Sequence, residues 1–241
     1  MQALAESKQT RKINIGCGYD KRPGYLNVDM DPACQPDVLL ADNDFSRFGN
    51  AAFDEVLAHD VLEHIPRSQT TSALLEWADI LAMGGVLRFQ TSSILGLADL
   101  LRSRHGWAEH DGLSSCLFGN QKHPGDFHYT GFTETTLSVH LLTAGFQPST
   151  FDLVDGWMFS STAPKVIDWS ALSRRSDLTS KQFVAEACRE ALGREVEAPF
   201  LEQWAGFVES GSRSRRDILK MLYDSDERRW RIAVGAGLQD G

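Results

Sequence analysis

Positive charge is scarce in this sequence: 24 Lys and Arg face 33 Asp and Glu, for a formal charge of −9. Phosphate backbones and anionic lipid surfaces gain little long-range attraction from such a chain, so nucleic acid is excluded as an expected partner. One basic cluster, Arg213, Arg215, Arg216 and Lys220, is interleaved with Asp217, Asp224, Asp226 and Glu227, which is the composition of a solvated helix face. Long apolar runs are missing as well. Nothing approaches the ~20 residues of a membrane span, and the opening MQALAESKQTRK lacks the apolar centre of a signal peptide, so a cytoplasmic protein with no membrane span is expected. Cysteine is sparse. Cys17, Cys34, Cys116 and Cys188 stand apart with no CxxC pair, which fits reduced thiols better than disulfides or zinc. There is no internal repeat, and 241 residues suffice for one sizeable core plus a smaller appendage.

What is present is the alternation of short apolar runs with helical periodicity over the first 165 residues, the rhythm of a doubly wound α/β sheet. Strands are predicted at Lys12 to Ile15, Tyr25 to Asp29, Val38 to Ala41, Phe53 to Ala58 and Gly85 to Thr91, with two closing strands at Phe146 to Val154 and Gly156 to Thr162. A helix is predicted over Arg67 to Met83, closed by Gly84-Gly85, and another from the Thr133 cap to Ala144. Residues 166–178 lose both periods and read as a linker. From Thr179 onward the pattern is helical only, with three apolar stripes, and a module of that size leans on a neighbour for its core.

The stretch KINIGCGYDKRPGYLNVDMD, residues 12–31, carries the chemistry. A strand running straight into Gly16-Cys17-Gly18 lets a backbone approach a ligand closely at the carboxyl edge of a sheet, because glycine has no Cβ in the way. A second strand then ends in Asp29, placed as an acid that accepts hydrogen bonds from ribose hydroxyls. The third glycine of a pyrophosphate fingerprint is replaced by Lys21, which argues against NAD and for a nucleoside without pyrophosphate.

INIGCGYDKRPGYLNVDMD, VLLADND, FDEVLAHDVLEHI and LAMGGVLRFQT resemble, in order and spacing, the successive motifs of class I S-adenosylmethionine-dependent methyltransferases. The resemblance covers residues 10 to 162 and points toward members that serve sugar and polysaccharide pathways. It implies a Rossmann-like, doubly wound seven-stranded methyltransferase sheet, with S-adenosylmethionine as cofactor and S-adenosylhomocysteine as product. It places Gly16, Cys17 and Gly18 beneath the methionine part, Asp29 on the ribose hydroxyls and Met30 on the adenine. Asp42 would meet the adenine amino group with Asn43 nearby, and His59 would sit near the sulfonium. Asp42 equally suits an Asx turn. Two departures from the family pattern are Ala82-Met83 before Gly84-Gly85 and the missing proline in FQTSS.

An alcohol acceptor must lose a proton, so a base within reach is sought among the loops after the fourth and fifth strands. The polar segment from Arg102 to Thr133 holds His105, His110, His123 and His128, and its HPGDFHYTGFT part resembles the family segment that covers the acceptor pocket. His128 or His123 is the expected base, with Asp60, His64 and Tyr129 as lesser candidates. Glu63 and His64 in LEHI are explained as well by a cap or an inter-element hydrogen bond. The loop histidines match no standard metal spacing, so no metal is assigned.

Residues 179–241 resemble a helical domain of unknown function fused to glycosyltransferases and methyltransferases of polysaccharide clusters, on positions such as Gly193-Arg194-Glu195, Trp204 and Gly211. The expected organisation is therefore a methyltransferase domain over 1–165, a linker over 166–178 and a helical docking domain over 179–241. The expected activity is O-methylation of a sugar or glycan intermediate, with a partner enzyme of glycan assembly met through the helices. A non-sugar acceptor taking the methyl group on O or N, and a cofactor-binding scaffold without turnover, are the alternatives.

Overall fold

The computed structural model describes residues 11–40 and 44–238. Seven strands form one sheet: β1 (Lys12–Ile15), β2 (Leu26–Asp29), β3 (Val38–Leu39), β4 (Phe53–His59), β5 (Leu81–Ser92), β6 (Asp152–Val154) and β7 (Met158–Pro164). Their order is β3-β2-β1-β4-β5-β7-β6, parallel through β5, with β7 antiparallel to both of its neighbours. This is the expected doubly wound, seven-stranded α/β sheet.

Alternation along the strands explains which face is covered. In register across the sheet, Ile13, Val56, Leu87 and Ala163 form one row of fully buried side chains. The next row, on the opposite face, is Lys12, Glu55 and Val86, with Glu55 taking ion pairs from Lys12 at 3.2 Å and, diagonally, from Arg88 at 3.3 Å. About half of each cation's side chain is exposed, 49% for Lys12 and 53% for Arg88. One face is apolar and the other is solvated because the period of a strand is two. Helices follow only the later strands: no α-helix separates β1 from β2 or β2 from β3, and residues 16–25 and 30–37 make turns and one 3-10 turn.

The helices are α1 (Thr70–Ile80), α2 (Ile94–Ser103), α3 (Trp107–Phe118), α4 (Glu134–Thr143), α5 (Ser180–Leu192), α6 (Ala198–Glu209), α7 (Arg215–Tyr223) and α8 (Asp226–Gly235). None among the described residues is long and apolar enough to cross a membrane. Several elements differ from expectation. The helix predicted over Arg67 to Met83 ends at Ile80, because Leu81 already pairs with Phe53 as the first residue of β5. The strand predicted over Phe146 to Val154 is ladder-paired only at Asp152–Val154. The strand predicted to Ala41 is seen as Val38–Leu39, and Ala41 lies outside the described residues. The polar stretch after β5 holds α2 and α3 in place of a loop; α3 buries none of its residues, so it carries no apolar stripe to announce it.

Residues 166–178, expected as a linker, are anchored. Trp169 is fully buried, donates from Nε1 to the Leu75 carbonyl at 2.9 Å, and lies against Tyr223 of α7. The apolar core runs on through Leu172, Leu178, Phe183 and Ile218 without a break from Leu74 and Trp77. Charge joins the same elements: Arg216 pairs with Glu76 at 2.7 Å and Asp79 at 2.8 Å, and buried Arg228 donates to the Thr143 carbonyl at 3.3 Å. Residues 179–238 therefore rest on α1 and α4.

Candidate functional site

Gly16 and Gly18 hold φ of +61° and +48°, a region that costs L-residues and not glycine. At Gly16 a Cβ would also come 2.7 Å from Val61 Cγ2, so the turn after β4 and the turn after β1 touch only because that residue is glycine. Between them, the Cys17 amide donates to the Val28 carbonyl at 3.1 Å. The Gly18 amide donates to Asp29 Oδ2 at 2.7 Å and the Asp31 amide to Asp29 Oδ1 at 2.8 Å. The half-buried Asp29 carboxylate is thus oriented by two backbone donors, and each of its oxygens keeps a lone pair. Residues 16–25 contain no helix, so the loop offers no helix N-terminus to a pyrophosphate.

A cleft of about 210 Å³ opens beside this loop, lined by Asn14, Gly16, Cys17, Leu57, His59 and Asp60 together with Tyr19 and Asp20. It lies at the carboxyl ends of β1 and β4, where ligands of open α/β sheets bind. A larger cavity of about 260 Å³ lies near the amino ends of β4 and β5, between Asp79, Arg174 and Arg216. Its charges already neutralise one another, and it is remote from the glycine loop; the cleft is the better candidate site.

Of the expected cofactor residues, Gly16, Cys17 and His59 line the cleft and Gly18 and Asp29 are bonded to each other beside it. Met30 is exposed next to Asp29. Asp42 and Asn43 lie outside the described residues. Burial, then the Asp29 charge, pushes the Cys17 thiol up to about 12, so it is no nucleophile. Burial, then Arg22, lowers the His59 pKa. Asp60 has φ of +53°, unusual for a residue with a side chain, and its amide is held by the Gln90 carbonyl at 3.1 Å. Protein crowding on its inner side raises the Asp60 pKa, against the pull of His59, His64 and His128.

The LEHI turn, a 3-10 turn at Leu62–His64, is a splice rather than a cap. The Glu63 carbonyl accepts the amides of Tyr129 at 2.8 Å and Thr130 at 3.1 Å, and Thr130 Oγ1 donates to the Ile65 carbonyl at 2.7 Å. The Glu63 carboxyl is fully buried, accepts from Thr91 Oγ1 at 2.8 Å, and is pushed by burial up to about 7. His64 Nδ1 lies 3.1 Å from the Phe127 carbonyl. These bonds hold the 127–130 segment on the LEHI turn and seat the His128 ring edge-on against His64, 4.7 Å between centroids.

His128 Nδ1 lies 3.0 Å from the Cys116 carbonyl. A carbonyl only accepts, so Nδ1 carries the hydrogen on both rings and each Nε2 keeps a free lone pair. Burial, then His64, lowers the His128 pKa, which keeps that lone pair available at neutral pH. The structure brings Asp60, His64 and His128 together; His123, His105, His110 and Tyr129 are exposed, and none of them joins that group. Asn14, Tyr19, Asp20 and Leu57 were missed as lining residues. Asn14 stood two positions before Gly16, on the face shared by His59, and that spacing was the available signal.

No family model matches the sequence, and it matches no curated protein. Solved structures with a similar course of the chain include an S-adenosylmethionine-dependent methyltransferase of Methanosarcina mazei, 16% identical over 67% of this chain and 95% of that one, with a TM-score of 0.48. Another is the 1,6-didemethyltoxoflavin N1-methyltransferase of Burkholderia thailandensis with bound 1,6-didemethyltoxoflavin and S-adenosylhomocysteine, 18% identical over 65% and 71%, TM-score 0.44. A third is an S-adenosylmethionine-dependent methyltransferase of Mesorhizobium loti, 16% identical over 65% and 91%, TM-score 0.44.

Proposed function

We propose that this protein is an S-adenosylmethionine-dependent methyltransferase acting on a hydroxyl group, with a sugar or glycan intermediate as the acceptor. The observation that carries the reading is the coupling of the glycine loop to Asp29 through the Gly18 amide, beside a cleft walled by His59 and Asp60. The fit can be checked on the donor set. A carboxylate has about four lone-pair sites, two are taken by Gly18 and Asp31, and two remain for a pair of ribose hydroxyls. The cleft is smaller than the roughly 300–1,000 Å³ of ligand pockets in general, so it houses part of the cofactor, and the rest lies along Asp29 and Met30.

When bound, the cofactor supplies a methyl group on a sulfonium for in-line displacement. Gly16 and Gly18 let the loop close on it, Asp29 fixes the ribose, and the neutral His59 adds no positive charge beside a sulfonium. His128 Nε2 takes the proton that the acceptor hydroxyl loses as it attacks, and Asp60 stabilises the imidazolium that results. His64 positions His128 by ring contact.

For the acceptor, the support is a polar wall of His64, His128 and Asp60 with exposed Tyr129 beside it, surfaces suited to hydroxyl groups and a sugar face. For residues 179–241 we propose an accessory docking role toward a partner of glycan assembly, supported by exposed Phe200 and Trp230. We also place the division between the two parts at residues 166–178 and the enzyme in the cytoplasm. Incubation with S-adenosylmethionine and panels of sugar nucleotides, oligosaccharides and phenolics, followed by mass detection of S-adenosylhomocysteine, tests the reading. Turnover confined to phenolics would remove the sugar assignment. Cofactor binding with no turnover on any panel would favour a scaffold.

A further inference from the structure

The glycine loop and the turn after β2 bring together two thiols that stand far apart in sequence. Cys17 Sγ, Cys34 Sγ and an Asp29 carboxylate oxygen all lie within 4.8 Å of one another. Cys34 sits in a 3-10 turn, Pro32–Cys34, whose N-cap Asp31 accepts from the Ala33 amide, so the thiol is aimed by local structure. Its Sγ donates to the Asp31 carbonyl at 3.0 Å, and Cys17 Sγ donates to the Gly18 carbonyl at 3.5 Å. Neither thiol is exposed, while Asp29 is half-buried. Lys21, whose charge acts on Cys17, is engaged with the Gln35 carbonyl.

We propose that Cys17, Asp29 and Cys34 form a binding site for a thiophilic divalent cation, Zn²⁺ being the best match. Zinc takes thiolate sulfur at about 2.3 Å and carboxylate oxygen at about 2.0–2.2 Å, so a tetrahedral centre needs S···S near ~3.8 Å and S···O near ~3.5 Å. The three atoms therefore need to close by no more than about 1.3 Å per pair, a movement available to cysteine rotamers on two turns. Two further features of a zinc site are present. The carboxylate is held by the Gly18 and Asp31 amides, which supply the outer-shell hydrogen bonds that orient metal ligands. Three protein ligands leave the fourth position to water. Hard cations such as Mg²⁺ or Ca²⁺ are disfavoured because two of the three ligands are sulfur.

A metal there draws on the carboxylate that the ribose uses, so Zn²⁺ and the cofactor compete. This consequence, unlike the site itself, rests on the cofactor reading above. The site thus acts as an inhibitory switch in which free zinc closes the enzyme by occupying Asp29 from the loop side.

The full-length, untagged, reduced protein titrated with Co²⁺ tests the site without reference to cofactor. One equivalent should produce a thiolate-to-cobalt charge-transfer band with tetrahedral d–d bands, and Zn²⁺ should bleach them. Cys17→Ser and Cys34→Ser should each weaken Co²⁺ binding by roughly 100-fold or more, since loss of outer-shell partners alone costs 10–100-fold. Cys116→Ser and Cys188→Ser should bind like the parent. Cys34→Ala serves in place of Cys34→Ser if the serine variant fails to fold by circular dichroism. Absence of a thiolate band in folded protein with titratable free thiols overturns the site. So does a band that survives removal of both Cys17 and Cys34, or a Cys17–Cys34 disulfide whose reduction restores no metal uptake. Calorimetry of S-adenosylhomocysteine with and without Zn²⁺ then separates the two ideas: a cobalt band with unchanged nucleoside affinity leaves the metal site standing and removes the ribose from Asp29.

Discussion

Replacing Asp29 by Ala perturbs the site at one carboxylate with two separable consequences. On the proposed function the carboxylate would offer two charge-assisted hydrogen bonds to ribose hydroxyls, each worth about 1.5–3 kcal/mol, part of which water returns when the bond is lost. The loss should come to about 2–4 kcal/mol, or ~30- to 1,000-fold in Kd at 1.4 kcal/mol per factor of ten. In the free protein the same change strips acceptors from the Gly18 and Asp31 amides, 2.7 and 2.8 Å away. Both sit near solvent, so this costs on the order of 1 kcal/mol of stability and loosens the turn that presents Gly16. Isothermal calorimetry with S-adenosylhomocysteine reads the first effect and thermal denaturation the second. An Asp29→Ala protein that melts near the parent and binds within about twofold of it would refute the ribose assignment, because the turn geometry alone would then be sufficient. Loss of binding together with a collapse in stability would be read with Asp29→Asn, which keeps the shape but sets an amide NH₂ against a backbone N–H.

His128→Ala should lower the single-turnover rate by ~10² to 10⁴ while S-adenosylhomocysteine affinity stays put, and unchanged turnover would leave positioning as the only device. Because burial depresses the His128 pKa, its base form persists below the usual histidine value, so the parent's rate should fall only when acid reaches that lowered pKa. Glu63 is raised from 4.5 to about 7, so the folded state binds the proton more tightly than the unfolded state, and its contribution is lost as pH rises through that window. Glu63→Gln should therefore gain on the parent between pH 5 and 8, by up to on the order of 3 kcal/mol in urea denaturation; a pH-independent difference would contradict the buried, protonated carboxyl. Trp169→Ala should cost about 3–5 kcal/mol and lower Tm by roughly 10 °C. A calorimetric loss below about 1 kcal/mol would mean that the C-terminal helices do not share the core.

Local signals carried much of the fold. The strand Lys12–Ile15 reads directly from KINI, and the cap at Thr133 from its hydroxyl and the helix period that follows. Gly16 and Gly18 were legible because only glycine tolerates their backbone angles at no cost. Segments whose structure depends on a distant partner were not legible. Trp169 fell in a stretch with no period and Lys165 at its border, yet the lysine is buried with Nζ donating to the Leu81 carbonyl at 2.9 Å and the indole donates to the Leu75 carbonyl. Helix α3 went unseen for the opposite reason: it buries nothing, so no stripe was required of it.

The sequence by itself determined the places of most strands along the chain, the glycine loop and the acid at the end of β2, because each follows from backbone sterics or from local apolar patterning within a few residues. Only the tertiary structure decided which of the four loop histidines meets the LEHI turn. His128 reaches His64 because two amides and a threonine hydroxyl of the 129–130 stretch bond the LEHI turn, while His123, a few residues earlier, has no such bond and stays in solvent. The meeting of Cys17, Asp29 and Cys34 was likewise decided by the parallel pairing of β1 with β2, which sets two successive turns side by side at one sheet edge. Spacing along the chain does not encode that neighbourhood; hydrogen-bond register across the sheet does.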